Sequence, residues 1–163
     1  MNIPETYLQM RRRVPIDSVA LGYCAVHLFK PEMIKQGQTG YATAAVDEEE
    51  DAGWKEEWLV IGHEDLCGNP IFIDVSDSLF PVYTAEHGEE RWQPEVIACS
   101  FRDFAYFLGL VKEISISRNN PRALEKNPLP EVERERILNE IAETGVSIDF
   151  WRSWLSRDSE GDD

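Results

Sequence analysis

Residues 69–75 read NPIFIDV, and this stretch decides the fold. In an extended chain Ile71 and Ile73 fall on one side and Phe72 on the other, so both sides are apolar. A strand of this kind belongs in a sheet covered on two faces, with helices against at least one of them. VSDS (75–78) supplies a reversal, and FPVYTA (80–85) is the returning strand. Pro81 cannot donate a ladder hydrogen bond, which places it at a strand start or on an edge.

Working outward, EWLVIG (57–62) reads as a strand bounded by Gly62, HEDLCG (63–68) as a turn, and VIAC (96–99) as a further short strand. Upstream, VALGYCAVHLF (19–29) reads as one strand with an irregular start at Gly22. PEMIKQ (31–36) is a short helix begun by Pro31 and ended by Gly37, and GYATAAV (40–46) is another strand. Downstream the period changes. Ser100 and Asp103 open a helix over 100–114, whose stripe is Phe101, Phe104, Ala105, Leu108 and Val111 or Lys112. Asn and Pro residues make 117–130 a connector. Helices follow over 131–145, stopped by Gly145, and over 147–156, with Phe150, Trp151, Trp154 and Leu155 at helical spacing. Strands first and helices afterwards predict an α+β domain with an antiparallel sheet and a helical C-terminal third. One domain covers 1–157, and 158–163 form a frayed acidic tail.

The chain of 163 residues carries 31 acids against 16 bases, a net charge of −15. That balance opposes nucleic acid and anionic membrane surfaces and favours solubility or a basic partner. Cys24, Cys67 and Cys99 are too few and too widely spaced for a disulfide framework. Reduced thiols, with neither a signal peptide nor a membrane span, make the cytoplasm the expected compartment.

The usual catalytic patterns are missing: no phosphate loop, GxGxxG, GxSxG, HExxH or paired CxxC occurs. His63 and Cys67 stand four apart, but the following Gly-Asn-Pro resists the helix that a metal pair would need, and a polar turn is the simpler reading. Cys99 ends an apolar run and reads as a small buried hydrophobe, as does Cys24. Glu86, Glu89 and Glu90 around His87 form a solvated rim more readily than a carboxylate catalytic pair. Trp58, Trp151 and Trp154 read as core. Trp54 and Trp92 lie in less regular surroundings, where either core packing or an interface anchor fits. No catalytic residue, metal or cofactor is expected.

The run WKEEWLVIGHEDLCGNPIFIDVSDSLFPVYTAEHGEERWQPEVIACSFRDFAYFL, residues 54–108, resembles the SUKH superfamily. That group includes the Smi/Knr-type cell-wall regulators of yeast and many bacterial proteins. The likeness rests on W-(x)3-W-L-x-I-G, G-x-P-I-F-I-D, P-V-Y-x-A-x-H-G and I-A-x-S-F in this order, about a third of the chain. It maps onto Trp54, Trp58, Gly62, Gly68, Pro70, Asp74, Tyr83, His87, Gly88 and Trp92, most of them in structural roles. Gly62, Gly68 and Gly88 would allow turns. Two departures stand out: Asn69 replaces the Asp common before this strand, and the N-terminal third shows neither a clear first helix nor a Leu-Pro element.

The resemblance implies a strongly curved antiparallel sheet with helices mainly on one face, and no enzymatic activity. It further implies an immunity protein that binds and neutralises a toxin, often a nuclease, of a bacterial competition system. The alternative is a regulatory or scaffolding module without a toxin partner. A toxin of that kind is basic, which suits an acidic inhibitor. The partner-binding candidates are the acidic stretch Asp47, Glu48, Glu49, Glu50 and Asp51, the rim Glu86, His87, Glu89 and Glu90, and the neighbouring Trp54 and Trp92.

Overall fold

A computed structural model describes residues 2–41, 53–86, 91–124 and 126–156. The acidic stretch 47–51, most of the strand expected over 40–46, the rim residues 87–90 and the tail lie outside the described residues.

Six strands form one antiparallel meander in chain order: β1 (Ser18–Leu21), β2 (Cys24–Leu28), β3 (Trp58–Glu64), β4 (Pro70–Asp74), β5 (Val82–Thr84) and β6 (Glu95–Ala98). The sheet curls into a half-barrel. Four helices accompany it: α1 (Glu5–Arg12), α2 (Phe101–Ile116), α3 (Glu131–Ala142) and α4 (Asp149–Ser156). The α+β reading therefore holds. No described helix is long and apolar enough to cross a membrane.

β4 behaves as its alternation requires. Ile71 and Ile73 join the main core with Leu59, Ile61, Val82 and Ile97, and the buried apolar side chains of all four helices enter that same core. Phe72 faces the other way, into a smaller cluster with Trp54, Trp58, Val60 and Ala85. The helices thus pack on one face, and an aromatic layer closes the other. Trp54 sits 4.8 Å from Phe72 and 5.3 Å from both Trp58 and Trp92, centroid to centroid, and Phe72 stacks on Tyr83.

The first helical turn of α2 is capped as expected, with Ser100 Oγ accepting from the Asp103 amide at 3.0 Å. Two tryptophans of α4 tie it to the sheet: Trp151 Nε1 donates to the Ile97 carbonyl at 2.9 Å and Trp154 Nε1 to the Cys24 carbonyl at 3.3 Å. From α2, Ser115 Oγ donates to the Ala20 carbonyl on edge strand β1 at 2.6 Å.

Several expectations are corrected. Residues 19–29 are a hairpin of two strands, because Gly22, at φ 58°, opens a two-residue turn with Tyr23 between the paired Leu21 and Cys24. Residues 31–38 form two short 3-10 turns. β3 runs on through Glu64 beyond Gly62. Gly62 makes no turn; it lies under β2, where an added Cβ would collide with the His27 carbonyl oxygen. Gly68, at φ 78°, is the turn glycine. Cys99 is exposed, its thiol donating to the Thr144 carbonyl, whereas Cys24 is buried.

The N-terminal third does contain a helix. α1 buries Tyr7 and Arg11, one turn apart. Arg11 is 3% exposed and donates to the carbonyls of Phe29, Val14 and Leu28 and to Asp17 Oδ1, so it closes the end of β2. A second side chain does the same for β3. Where β2 ends, Gln38 Oε1 accepts from Val60 N at 2.9 Å and its Nε2 donates to Val60 O and Ile34 O at 2.8 Å. One primary amide thus stands in for the missing strand neighbour. Replacing Gln38 with Leu strands both Val60 groups in a buried site, and the expected loss is about 2–4 kcal/mol of stability, read from urea denaturation midpoints at unchanged slope.

Candidate functional site

The β3–β4 turn is built around a buried carboxylate. Glu64 is 4% exposed at the end of β3, on the helix side of the sheet next to Val26. Its oxygens accept from the amides of Leu66 at 2.7 Å, Cys67 at 2.9 Å and Asn69 at 2.9 Å. These donors compensate a burial that would otherwise be unfavourable. The adjacent Asp65 anchors the turn sideways. Its carboxylate accepts from Ala25 N at 2.8 Å, from His27 Nε2 at 3.2 Å and from Arg122 at 3.5 Å. Burial pushes the Asp65 acid upward, but the Ala25 amide, the His27 hydrogen bond and the Arg122 charge outweigh it, and its pKa lies below the ordinary value.

Beside this turn opens a cavity of about 690 Å³. Its walls are the β1–β2 and β3–β4 turns, the ends of β5 and β6 with Ala85, Glu86, Arg91 and Gln93, and the first two turns of α4. Four carboxylates line it, those of Glu64, Glu86, Glu95 and Asp149, against one guanidinium, that of Arg91, among the described residues. Tyr23, Leu66 and Phe150 supply apolar surface, and Thr84, Gln93 and Ser153 supply neutral polar groups. Glu95 Oε1 is buried and has no hydrogen-bond partner among the described residues. The chain folds this way locally because Glu95 pairs with Thr84, and Thr84 with Ile71, which carries the helix-side face of the sheet to the cavity.

The expected site residues separate. Glu86 is exposed and lines the cavity. Trp54, for which core packing and a partner anchor were both open, is buried at 8% exposure in the aromatic layer, so core packing holds and the anchor reading is corrected. Trp92 is half-buried against Trp54 and Tyr41. Asp47, Glu48, Glu49, Glu50 and Asp51, with His87, Glu89 and Glu90, lie outside the described residues. His63 and Cys67 do not share a helix face: His63 stands on β3 beside His27, ring centroids 5.2 Å apart, while Cys67 is in the turn. Among the described residues, no group of three or more His, Cys, Asp or Glu side chains is placed to hold a metal.

Sequence reasoning missed Glu64, Glu95 and Asp149. For Glu95 a signal existed, since it shares strand parity with the buried Ile97. For Glu64 the signal was a carboxylate ahead of a Gly-Asn turn, whose free amides need an acceptor.

Comparison with family models, with curated proteins and with solved structures returns no match for the chain.

Two measurements check the site's chemistry. Burial first, and the charges of Glu64 and Asp65 next, push the Cys24 thiol up to about 12. A thiol reagent at pH 8 is expected to titrate Cys67 and Cys99 rapidly and Cys24 only after unfolding. Because the folded pKa of Asp65 is depressed, its contribution is fully present above the unfolded value of about 3.9 and is lost as pH falls through the folded value. Asp65→Asn is therefore expected to lower stability by about 1 kcal/mol at pH 7, with the difference from the parent narrowing below about pH 4 in acid-unfolding curves.

Proposed function

We propose that the chain is a non-enzymatic protein-binding module acting in the cytoplasm, an immunity protein that neutralises a basic toxin domain by covering its active surface. The observation that carries this reading is the acidic cavity, where among the described residues four carboxylates meet one guanidinium at the end of the sheet. Carboxylates of one sign repel one another across such a space, and a basic partner relieves that repulsion. The net charge of −15 extends the same preference over the whole molecule and steers a basic protein toward it. The resemblance of residues 54–108 to the SUKH superfamily supplies the class of partner, a toxin domain exchanged between competing bacteria.

Capture from the native source at low and high salt, with the bound proteins identified by mass, tests this reading. The expected result is one basic protein at a one-to-one ratio, released at high salt. Several unrelated partners, or only the chain itself, would replace it with a scaffolding role. With the captured partner, Glu86→Lys is expected to slow association about three- to tenfold and to flatten its salt dependence. An unchanged on-rate would place the contact elsewhere.

A further inference from the structure

We propose that His27 and His63, paired across β2 and β3, bind a divalent transition-metal ion of the zinc class. The pair lies outside the wall of the acidic cavity, and the proposal is independent of the protein-binding reading above. The two residues are direct partners in the antiparallel ladder. Val26 and Leu28, on either side of His27, point into the helix-side core. Both rings therefore stand on the opposite face of the sheet, at the rim of the aromatic layer beside Phe29. Their centroids are 5.2 Å apart. A zinc ion about 2.0–2.1 Å from one nitrogen of each ring, holding both at a roughly tetrahedral angle, puts two such centroids about 5 Å apart. The register of β2 against β3 thus supplies the spacing that a shared ion needs.

The hydrogen bonds decide which nitrogens are available. His27 Nε2 lies 3.2 Å from Asp65 Oδ2, and His63 Nδ1 lies 3.2 Å from the Glu64 carbonyl oxygen. Carboxylate and carbonyl oxygens only accept, so each of these two nitrogens carries the ring proton. The neutral imidazoles then keep a lone pair on the other nitrogen, Nδ1 of His27 and Nε2 of His63. A ring proton donated to a carboxylate or a backbone carbonyl is the support that metal-bound histidines ordinarily have, because it fixes the tautomer and makes the bare nitrogen more basic. Both histidines have that support. Asp65 is itself held by the Ala25 amide and by Arg122, so it is a positioning residue and not a ligand. The His27 side chain is 38% exposed, which lets an ion and its waters reach the pair. Imidazole selects zinc, copper and nickel over magnesium and calcium, whose preferred ligands are oxygens. Two protein ligands with water completing the shell make an exchangeable site, not a structural zinc centre, in keeping with the lack of a three-ligand group among the described residues.

The test uses the full chain, labelled with nitrogen-15 and kept reduced, titrated with zinc chloride and, as a hard-cation control, with magnesium chloride. Saturating shifts of the ring nitrogens His27 Nδ1 and His63 Nε2 are expected with zinc, and none with magnesium. His27→Gln and His63→Gln are each expected to weaken zinc binding at least about tenfold. The zinc-dependent rise in melting temperature expected of the parent chain should vanish in both variants. Asp65→Asn keeps the size of the side chain but loses the carboxylate; it is expected to weaken zinc binding about tenfold while the bound-state shift at His63 Nε2 persists. Ring nitrogens that do not move in the parent chain, an equal response to magnesium, unchanged affinity in both histidine variants, or binding lost only with Cys67→Ser or His87→Gln would each overturn the assignment. The ring-nitrogen spectra of the parent chain decide the matter even where a variant fails to fold, and none of these outcomes depends on a protein partner being captured.

Discussion

A sheet buried on both faces must satisfy the polar backbone at its strand ends without water, and much of this structure answers that constraint. A flat sheet with one solvated face could leave these groups to solvent. Here the helices cover one face and the aromatic layer the other. Side chains therefore complete the ladders. Arg11 takes the carbonyls at the end of β2, Gln38 takes both groups of Val60, and the indoles of Trp151 and Trp154 take carbonyls at opposite sides of the sheet. Glu64 supplies the complementary case, a buried acceptor for three turn amides. These side chains look misplaced by hydropathy alone, since three of the five are polar or charged and buried, yet each replaces a backbone partner that the fold removes.

That explains which elements the sequence made legible. β4, β5, α2 and α4 announce themselves because their contacts are side chain to side chain, and periodicity records those contacts directly. Ser100 as a cap is equally local, since its acceptor and donor are three residues apart. α1 stays hidden because one of its two fully inward positions is an arginine, which breaks the apolar stripe. The β1–β2 hairpin stays hidden because its turn residues, Gly22 and Tyr23, interrupt a run that is apolar on both sides of the break. Gly62 is misread for a related reason. A glycine in sequence signals a turn or a close approach, and only the register of β2 against β3 says which.

The site is less legible than the fold, and the cause is again sequence distance. Its carboxylates come from residues 64, 86, 95 and 149, and only the β5–β6 stretch, which carries Glu86 and Glu95, brings two of them within one short window. Acidic runs attract attention in a linear reading, so the stretch 47–51 and the rim 86–90 stand out. Only Glu86 overlaps the cavity wall among the described residues. Trp54 shows the same bias from the apolar side, because irregular surroundings in sequence suggest exposure, while in space it plugs the aromatic layer against Phe72.

Of the carboxylates lining the cavity, Glu64 holds the β3–β4 turn and Asp149 stands in the first turn of α4, where its charge suits the helix dipole. Among the described residues Glu95 Oε1 is buried without a donor, and its negative neighbours raise the electrostatic cost of the site in a chain already at −15. A sequence optimised for stability alone would place a neutral side chain there, as Thr84 is placed opposite it, with its hydroxyl donated to the Pro70 carbonyl. Local violations of this kind concentrate where a surface is kept ready for something outside the chain. The molecule fits side chains to the ends of β2 and β3, yet beside the β3–β4 turn it leaves an open cavity lined, among the described residues, by four carboxylates and one guanidinium. On the reading proposed above, a basic partner would relieve the repulsion among these carboxylates.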